Sequence, residues 1–210
     1  GDASRIHAIE ADVTTAAGSA LVFERHPVVD ILVNNLGIYE SRRFETITDD
    51  IWEHYFQVNV LSGARLARHY LPGMFQRDWG RVIFISSDSA LVIPPDMIHY
   101  GMTKTAQLAI SRGLAGLTKG TNVTVNSVLA GSTRSEGIES FLKSVASDPN
   151  ASPQDIEKEF FEKERPTSLL QRMIEPEEIA ALVTYVASPL SSATNGAALR
   201  ADGGTTPTVF

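Results

Sequence analysis

The sequence contains no cysteine in its 210 residues, and this absence excludes several kinds of site. Disulfides, thiolate zinc sites, iron–sulfur clusters and a cysteine nucleophile are all ruled out. The formal net charge of −7 gives no basic footprint, so we do not expect nucleic acid as a partner. No apolar run reaches the length of a membrane span, and no segment resembles a signal peptide. We therefore expect a soluble, cytoplasmic protein.

Five apolar segments predict the strands of a parallel sheet: residues 5–13, 28–35, 81–87, 122–130 and 197–201. They are rich in β-branched residues, and three of them have Asp, Asn or Ser as their last or next-to-last residue. Near-continuous apolar runs of this kind suit strands that are covered on both faces. A chain of 210 residues has room for one domain with a sizeable core, which we take to be residues 1–210.

Helical patterns lie between these strands, at residues 14–25, 48–76, 100–118 and 175–188. The second of them opens with Thr48 and two acidic residues, which suit the first turn of a helix. Alternating strands and helices indicate right-handed βαβ crossovers. The predicted fold class is therefore α/β, with a doubly wound parallel sheet.

Residues 132–175 interrupt the alternation, because they contain no strand pattern and are polar, charged and flanked by prolines. An insertion of this length between a strand and the next helix is typical of a lid or a substrate-binding segment. A solvated pair of helices without a functional role is the alternative interpretation.

The ends of the predicted strands carry the polar residues to which a ligand would bind. In an open parallel sheet, ligands bind beyond the carboxyl ends of the strands. The residues at these ends are Asp12, Asn34, Asn35, Ser86, Ser87 and the segment 131–135. Asn, Ser and Gly terminate many strands, but four strands that end in this way indicate a ligand crevice.

Tyr100 and Lys104 lie four residues apart in a helical pattern, which places them on one face of the helix. An ammonium at that spacing in a partly desolvated cleft favours the tyrosinate form. Acid–base work near neutral pH requires the pKa of a phenol to fall by roughly 2–3 units. We therefore expect Lys104 to lower the pKa of Tyr100, although this spacing also occurs by chance in many helices.

Ser87 supports a catalytic role for Tyr100 and Lys104, because it ends a predicted strand thirteen residues before Tyr100. Its hydroxyl could hydrogen-bond the same oxygen that Tyr100 protonates. A general acid and a second donor directed at one oxygen are what the reduction of a carbonyl requires.

Seven segments of the sequence, in this order and at this spacing, resemble the classical short-chain dehydrogenases/reductases. They are DV (12–13), DILVNNLG (30–37), QVNV (57–60), GRVIFISS (80–87), YGMTK (100–104), VTVNSVLAG (123–131) and GAALRADGG (196–204). Each motif is weak alone, whereas the set is highly specific and covers nearly the whole chain. The resemblance implies a Rossmann-type fold and the NAD(P)-dependent interconversion of a carbonyl and an alcohol.

The resemblance also implies catalytic roles for four residues. Tyr100 would be the general acid in reduction and the base in oxidation. Lys104 would bind the nicotinamide ribose and lower the pKa of the tyrosine, and Ser87 would polarise the substrate carbonyl. Asn59 would hold a water molecule that links Lys104 to solvent, and its alternative is a polar residue tolerated within a helix.

Further residues would bind NAD or NADP, if the resemblance holds. Asp12 and Val13 would bracket the adenine, and Asn35 and Gly37 would approach the adenosine ribose. Tyr100 and Lys104 would contact the cofactor as well. The segment after Gly131, with Thr133 and Ser135, would meet the nicotinamide. We assign no metal ligand.

The sequence departs from the family pattern at several positions. Leu36 replaces the alanine that usually precedes Gly37, and Ala130 replaces the proline that usually precedes Gly131. Ser135 takes the place of a threonine and keeps its hydroxyl.

The largest departure is that no glycine-rich phosphate loop of either common spacing is present. In the strand order 3-2-1-4-5-6, the first two strands would lie between residues 5–13 and 28–35. We therefore expect a fold that is N-terminally truncated, with its first two strands and first helix absent, and a native polypeptide that is longer at this end. If the chain begins at Gly1, residues 5–13 must pair elsewhere and dinucleotide binding should be weak.

Two functional hypotheses remain open from the sequence. The first is an oxidoreductase that acts on a small carbonyl or alcohol, and the complete set of four catalytic residues favours it. The second is a catalytically silent subunit or scaffold, and a flavodoxin-like binding protein is a remoter possibility. The resemblance further implies a homodimer or homotetramer formed through the helices near 48–76 and 99–119. Substrate identity, cofactor preference and reaction direction are not encoded in a recognisable motif.

Overall fold

The computed structural model describes residues 5–135 and 137–209. Within these ranges, four parallel strands form one sheet in the order β1-β2-β3-β4. The strands are β1 (Ile31–Asn34), β2 (Gly80–Ser87), β3 (Val123–Ala130) and β4 (Ala198–Ala201). All four were predicted from the apolar runs, and the parallel α/β class is confirmed.

Seven α-helices connect or flank these strands in the described ranges. They are α1 (Ala16–Arg25), α2 (Asp49–Phe56), α3 (Ser62–Gln76), α4 (Ile98–Leu117), α5 (Ile138–Val145), α6 (Pro153–Lys163) and α7 (Pro176–Ala187). A π-helical turn, Gln57–Leu61, joins α2 to α3 and carries Asn59. The segment that the sequence predicts as one long helix is therefore three pieces, and such turns are frequent at functional sites.

The core lies on both faces of the sheet, because successive side chains of a strand point to opposite sides. Val82 and Phe84 of β2 pack in one cluster with α3 and α4, whereas Ile83 packs on the other face with α7. All three side chains are at most 1% exposed. Because helices cover both faces of the sheet, the sequence of β2 is a nearly continuous apolar run and does not alternate between apolar and polar residues.

The predicted strand at 5–13 is not found, and the prediction is wrong for these residues. Residues 6–12 belong to no regular element, and Ile6 is 77% exposed. A segment with strand-like composition becomes a strand only when a neighbour accepts its ladder hydrogen bonds. Here the following residues turn into α1 instead, where the Thr15 hydroxyl accepts the backbone N–H of Gly18 at 3.0 Å.

The insertion at 132–175 folds into α5 and α6, which have an apolar cluster of their own. Its buried members are Ile138, Leu142, Ile156, Phe160, Phe161 and Met173. Within the insertion, Arg134 contacts Glu157 of α6 at 3.0 Å and Glu175, the residue that caps α7, at 3.2 Å. Among the described residues, no helix is both long and apolar enough to cross a membrane.

Candidate active site

A cleft of about 840 Å³ opens where β1, β2 and β3 end. Its position agrees with the rule that ligands bind beyond the carboxyl ends of parallel strands. Seven of the predicted site residues line it: Asn35, Gly37, Ser87, Tyr100, Lys104, Thr133 and Ser135. The structure therefore brings together residues that lie up to 100 positions apart in the sequence.

Ser87 is the last residue of β2 and is 7% exposed. Its Oγ accepts the backbone N–H of Ser89 at 3.1 Å, and its hydroxyl donates to Oδ1 of Asp88 at 2.9 Å. These bonds fix the serine oxygen at the strand end and leave it directed into the cleft.

Tyr100 lies in the first turn of α4 and lines the same cleft. Burial raises the pKa of Tyr100 to about 12, although the hydrogen bond with the Ser87 hydroxyl opposes this rise. The pKa of Tyr100 is therefore raised and not lowered as the sequence predicts, and the effect of the Lys104 ammonium on it stays a prediction. The physical reason is that the loss of solvent disfavours the tyrosinate more than nearby donors favour it.

Lys104 is only 5% exposed, and its Nζ donates to the backbone oxygen of Ile85 at 3.0 Å. The same Nζ lies 5.6 Å from the centroid of the Tyr100 ring, one helical turn away. Burial lowers the pKa of Lys104 to about 8, since the charged form loses its hydration. The ammonium thus titrates close to physiological pH.

Asn59 does not line the cleft, but it supports the loop that does. Its Oδ1 accepts the N–H of Ile38 at 2.8 Å, and its Nδ2 donates to the oxygen of Ile38 at 3.0 Å. Nδ2 also donates to Oγ1 of Thr103, next to Lys104, at 3.0 Å. The amide therefore holds the loop after β1 against α4, an arrangement that sequence reasoning had not predicted.

Gly37 occupies the point where this loop approaches α4. A Cβ atom at this position would lie 3.3 Å from Nζ of Lys104 and 3.6 Å from Oδ1 of Asn59. The absence of a side chain therefore keeps space beside the ammonium. In the segment that follows β3, Oγ1 of Thr133 donates to the backbone oxygen of Gly131 at 2.8 Å.

Asp12 and Val13 are not among the residues that line the cleft. Oδ1 of Asp12 accepts from the N–H and the hydroxyl of Thr14 at 3.0 and 2.6 Å, and these bonds lower its pKa. The oxygen of Val13 accepts from the Arg65 guanidinium at 3.1 Å. The pair forms the turn that begins α1.

Asp88 is a site residue that the sequence reasoning missed. It lines the cleft beside Ser87 and is 4% exposed, and its Oδ2 has no hydrogen-bond partner among the described residues. Burial raises the pKa of Asp88, while the Arg165 guanidinium and the Ser87 hydrogen bond oppose that rise. Its position directly after two strand-end serines was the available signal.

An aromatic wall closes the cleft on the side of the insertion. The ring of Tyr39 packs edge-on against Tyr100 at 6.2 Å and against Phe141 of α5 at 5.6 Å between centroids. Phe160 and Arg165 of the insertion line the cleft as well. These contacts place the predicted lid beside the tyrosine, and Tyr39 was not predicted.

Comparison with known proteins adds independent evidence. Residues 2–206 match the family described as Enoyl-(Acyl carrier protein) reductase. A protein of Bacillus subtilis (strain 168) named uncharacterized oxidoreductase YvaG is 53% identical over 199 residues, which cover 95% of this chain and 75% of that protein. A solved structure described as a short chain dehydrogenase/reductase family protein is 29% identical with a TM-score of 0.81, and the match covers 95% of this chain and 77% of that one.

A second solved structure shows a relative with bound ligands. L-sorbose reductase from Gluconobacter frateurii, complexed with NADPH and L-sorbose, is 27% identical with a TM-score of 0.85. The match covers 95% of this chain and 76% of that one. The parallel sheet, the cleft at its strand ends and these matches lead to one conclusion: the chain belongs to the short-chain dehydrogenase/reductase family of oxidoreductases.

Proposed function

We propose that the protein transfers a hydride between NAD or NADP and a carbonyl or secondary alcohol, with Tyr100 as the acid–base residue. The observation that carries the proposal is the meeting of the Ser87 hydroxyl and the Tyr100 phenol in one cleft. Two hydroxyls on one oxygen suit a carbonyl, where negative charge develops as it is reduced. The relative that is named a reductase and was solved with NADPH supports the cofactor class.

The cleft has features that fit a nicotinamide cofactor. The Lys104 ammonium carries three donors, and its hydrogen bond to the backbone oxygen of Ile85 uses one of them. Gly37 leaves space beside that ammonium, which a Cβ atom would occupy. Lys104 would bind ribose hydroxyls there, and the bound cofactor would supply or accept the hydride.

The side chains of the protein would then carry out the proton transfer. With its pKa raised to about 12, Tyr100 is protonated at neutral pH and can donate to the oxygen of a carbonyl. Ser87 would donate a second hydrogen bond to the same oxygen and orient it. The Lys104 ammonium would favour the tyrosinate that remains, because opposite charges attract strongly in a dry cleft.

The other predicted residues receive supporting roles. Asn59 would maintain the position of the loop beside Lys104 and hold a water molecule that leads to solvent. Asn35 and Gly37 would contact the adenosine ribose, and Asp12 and Val13 would bracket the adenine. In this proposal Thr133 and Ser135 contact the nicotinamide end, and residues 132–175 cover the substrate.

The test is the consumption of NADH and NADPH with a panel of ketones, for the native protein and for Tyr100→Phe. We expect Tyr100→Phe to lower kcat by about a hundredfold to ten-thousandfold, the range for a lost general acid. Tyr185→Phe is the matched control, because Tyr185 lies on α7 away from the cleft and is 43% exposed. Equal rates for the native protein and Tyr100→Phe would overturn the assignment.

The same assay separates the alternatives. A catalytically silent subunit would consume neither cofactor with any ketone, whatever residue stands at position 100. Crotonyl-CoA is included because the matching family is described as an enoyl reductase. Reduction of this alkene without reduction of any ketone would contradict a carbonyl substrate.

We further propose that the protein forms a homodimer or homotetramer through α2–α3 and α4. Phe56 and Leu117, at the ends of α2 and α4, are 39% and 64% exposed, and an apolar exposed surface favours association. Light scattering on purified protein would give the mass. A monomer at micromolar concentration would contradict this assembly.

A further inference from the structure

Arg165 is a cationic side chain in the cleft whose charge the proposed chemistry does not use. It follows the end of α6 and lines the cleft, and its side chain is half-buried. Its backbone N–H donates to the backbone oxygen of Phe160 at 3.1 Å, and its Nη1 donates to the backbone oxygen of Glu164 at 2.8 Å. The guanidinium lies 5.5 Å from the centroid of the Phe160 ring. These contacts fix its position on the aromatic wall.

The arginines around it have carboxylate partners, whereas Arg165 has no ion pair within residues 5–135 and 137–209. Arg134 contacts Glu157 and Glu175, and Arg172 contacts Glu178 at 2.8 Å. A half-buried guanidinium loses part of its hydration and regains it only from an anion or from aligned acceptors. An unpaired arginine in a cleft is therefore suited to bind an anion from outside the chain.

The charge of Arg165 acts at the reacting end of the cleft. Burial raises the pKa of Tyr100 to about 12 and also raises that of Asp88, and the Arg165 guanidinium opposes both rises. Its field therefore reaches the phenol and the residue next to Ser87. No carboxylate of the described residues forms an ion pair with this guanidinium, so it can accept a carboxylate from a ligand.

We propose that Arg165 binds a carboxylate carried by the substrate, so that the preferred substrates are keto acids or the corresponding hydroxy acids. The proposal rests on the proposed function, because it requires a carbonyl at Ser87 and Tyr100. A guanidinium forms two parallel hydrogen bonds with a carboxylate, which fixes the orientation of the substrate as well as its affinity. The aromatic wall formed by Tyr39, Phe141 and Phe160 would enclose the carbon chain between the two ends.

The first experiment compares keto acids with their uncharged methyl esters. Pyruvate, acetoacetate and levulinate place the carboxylate at three different distances from the carbonyl, and each has a methyl ester of similar shape. We expect kcat/KM for at least one acid to exceed that for its ester by about tenfold, the value of one charge-assisted hydrogen-bond pair. Arg165→Met should remove this preference through KM, so that the acid-to-ester ratio of kcat/KM falls to about one.

Two further variants exclude a general loss of structure. Arg165→Lys keeps the charge but not the two parallel bonds, so it should restore part of the preference. Arg172→Met removes a paired arginine outside the cleft, and its acid-to-ester ratio should equal that of the native protein. Thermal unfolding of all three variants shows whether each one folds.

The outcomes distinguish this proposal from the proposed function. Turnover of ketones that depends on Tyr100, with an acid-to-ester ratio that Arg165→Met leaves unchanged, would overturn only the carboxylate site. No turnover of any ketone would overturn both. Arg165→Met could instead weaken the binding of NADPH but not of NADH, or inorganic phosphate could compete with NADPH at Arg165. Either result would assign the arginine to a cofactor phosphate and contradict the substrate site.

Discussion

The Lys104 ammonium lies 5.6 Å from the centre of the Tyr100 ring and donates a hydrogen bond to the backbone oxygen of Ile85, 3.0 Å away. The lysine therefore connects α4 to β2 near its carboxyl end and lies over the tyrosine ring. Burial dominates both side chains, raising the pKa of Tyr100 to about 12 and lowering that of Lys104 to about 8. Burial thus shifts the pKa of each group in the direction that favours its uncharged form.

Replacing Lys104 with Met should stabilise the fold at pH 7 while abolishing activity. The pKa falls from 10.5 to about 8 on folding, which corresponds to about 3 kcal/mol of destabilisation below pH 8. Loss of the bond to Ile85 offsets about 1 kcal/mol of the gain. Denaturant unfolding at pH 7 should therefore show the variant about 2 kcal/mol more stable.

The sign of this effect gives a second readout. Lys104 binds its proton less tightly in the folded state, so its penalty is complete below pH 8 and disappears as the pH rises towards 10.5. The stability difference between the variant and the native protein should narrow between pH 8 and pH 10. A difference that is independent of pH would show that the charge is not its cause.

The pH profile of reduction should depend on Lys104 rather than on Tyr100. The ammonium is lost above about pH 8, whereas the phenol keeps its proton until about pH 12. We expect kcat/KM for reduction to fall above pH 8, and we expect Lys104→Arg to move this fall to higher pH because a guanidinium stays charged. Measurement from pH 6 to 10 checks both, and an unchanged fall in Lys104→Arg would assign it to another group.

Replacing Asp88 with Asn should stabilise the protein at pH 7. Burial raises the pKa of this carboxyl, so the folded state binds its proton more tightly and loses stability as the pH rises above the unfolded value of 3.8. An amide has no such cost, although it keeps the shape and can still meet the Ser87 hydroxyl. The melting temperatures should differ at pH 7 and converge near pH 3.5.

Replacing Gly37 with Ala should weaken cofactor binding more than stability. The added Cβ would lie 3.3 Å from Nζ of Lys104, so the end of the lysine must shift by a few tenths of an ångström and loses space beside its ammonium. Gly116→Ala is the matched control, because nothing lies within 4 Å of a Cβ there and alanine favours a helix by about 1 kcal/mol. Titration with NADH or NADPH, followed by fluorescence, should show a higher Kd for the first variant only.

Much of the fold and part of the site could be predicted from the sequence, because burial on both faces leaves a continuous apolar pattern in strands such as β2 and β3. The positions of Ser87, Tyr100 and Lys104 in one cleft follow from strand ends and helical spacing. The direction of the Tyr100 shift could not be predicted, since it depends on how much water the surrounding elements exclude. The fate of residues 5–13 could not be predicted either, because a segment with strand-like composition forms a strand only when a neighbouring strand pairs with it.

The π-helical turn at Gln57–Leu61 has a consequence for the evolution of this site. Each residue advances a helix by about 100°, so deletion of one residue from the turn would rotate everything after it by that angle. The deletion would turn Ala67, Leu71 and Met74 of α3 away from the sheet. The five residues of the π-helical turn therefore determine which side of α3 faces the sheet, and they also orient Asn59. Insertions or deletions should be less tolerated in this turn than substitutions.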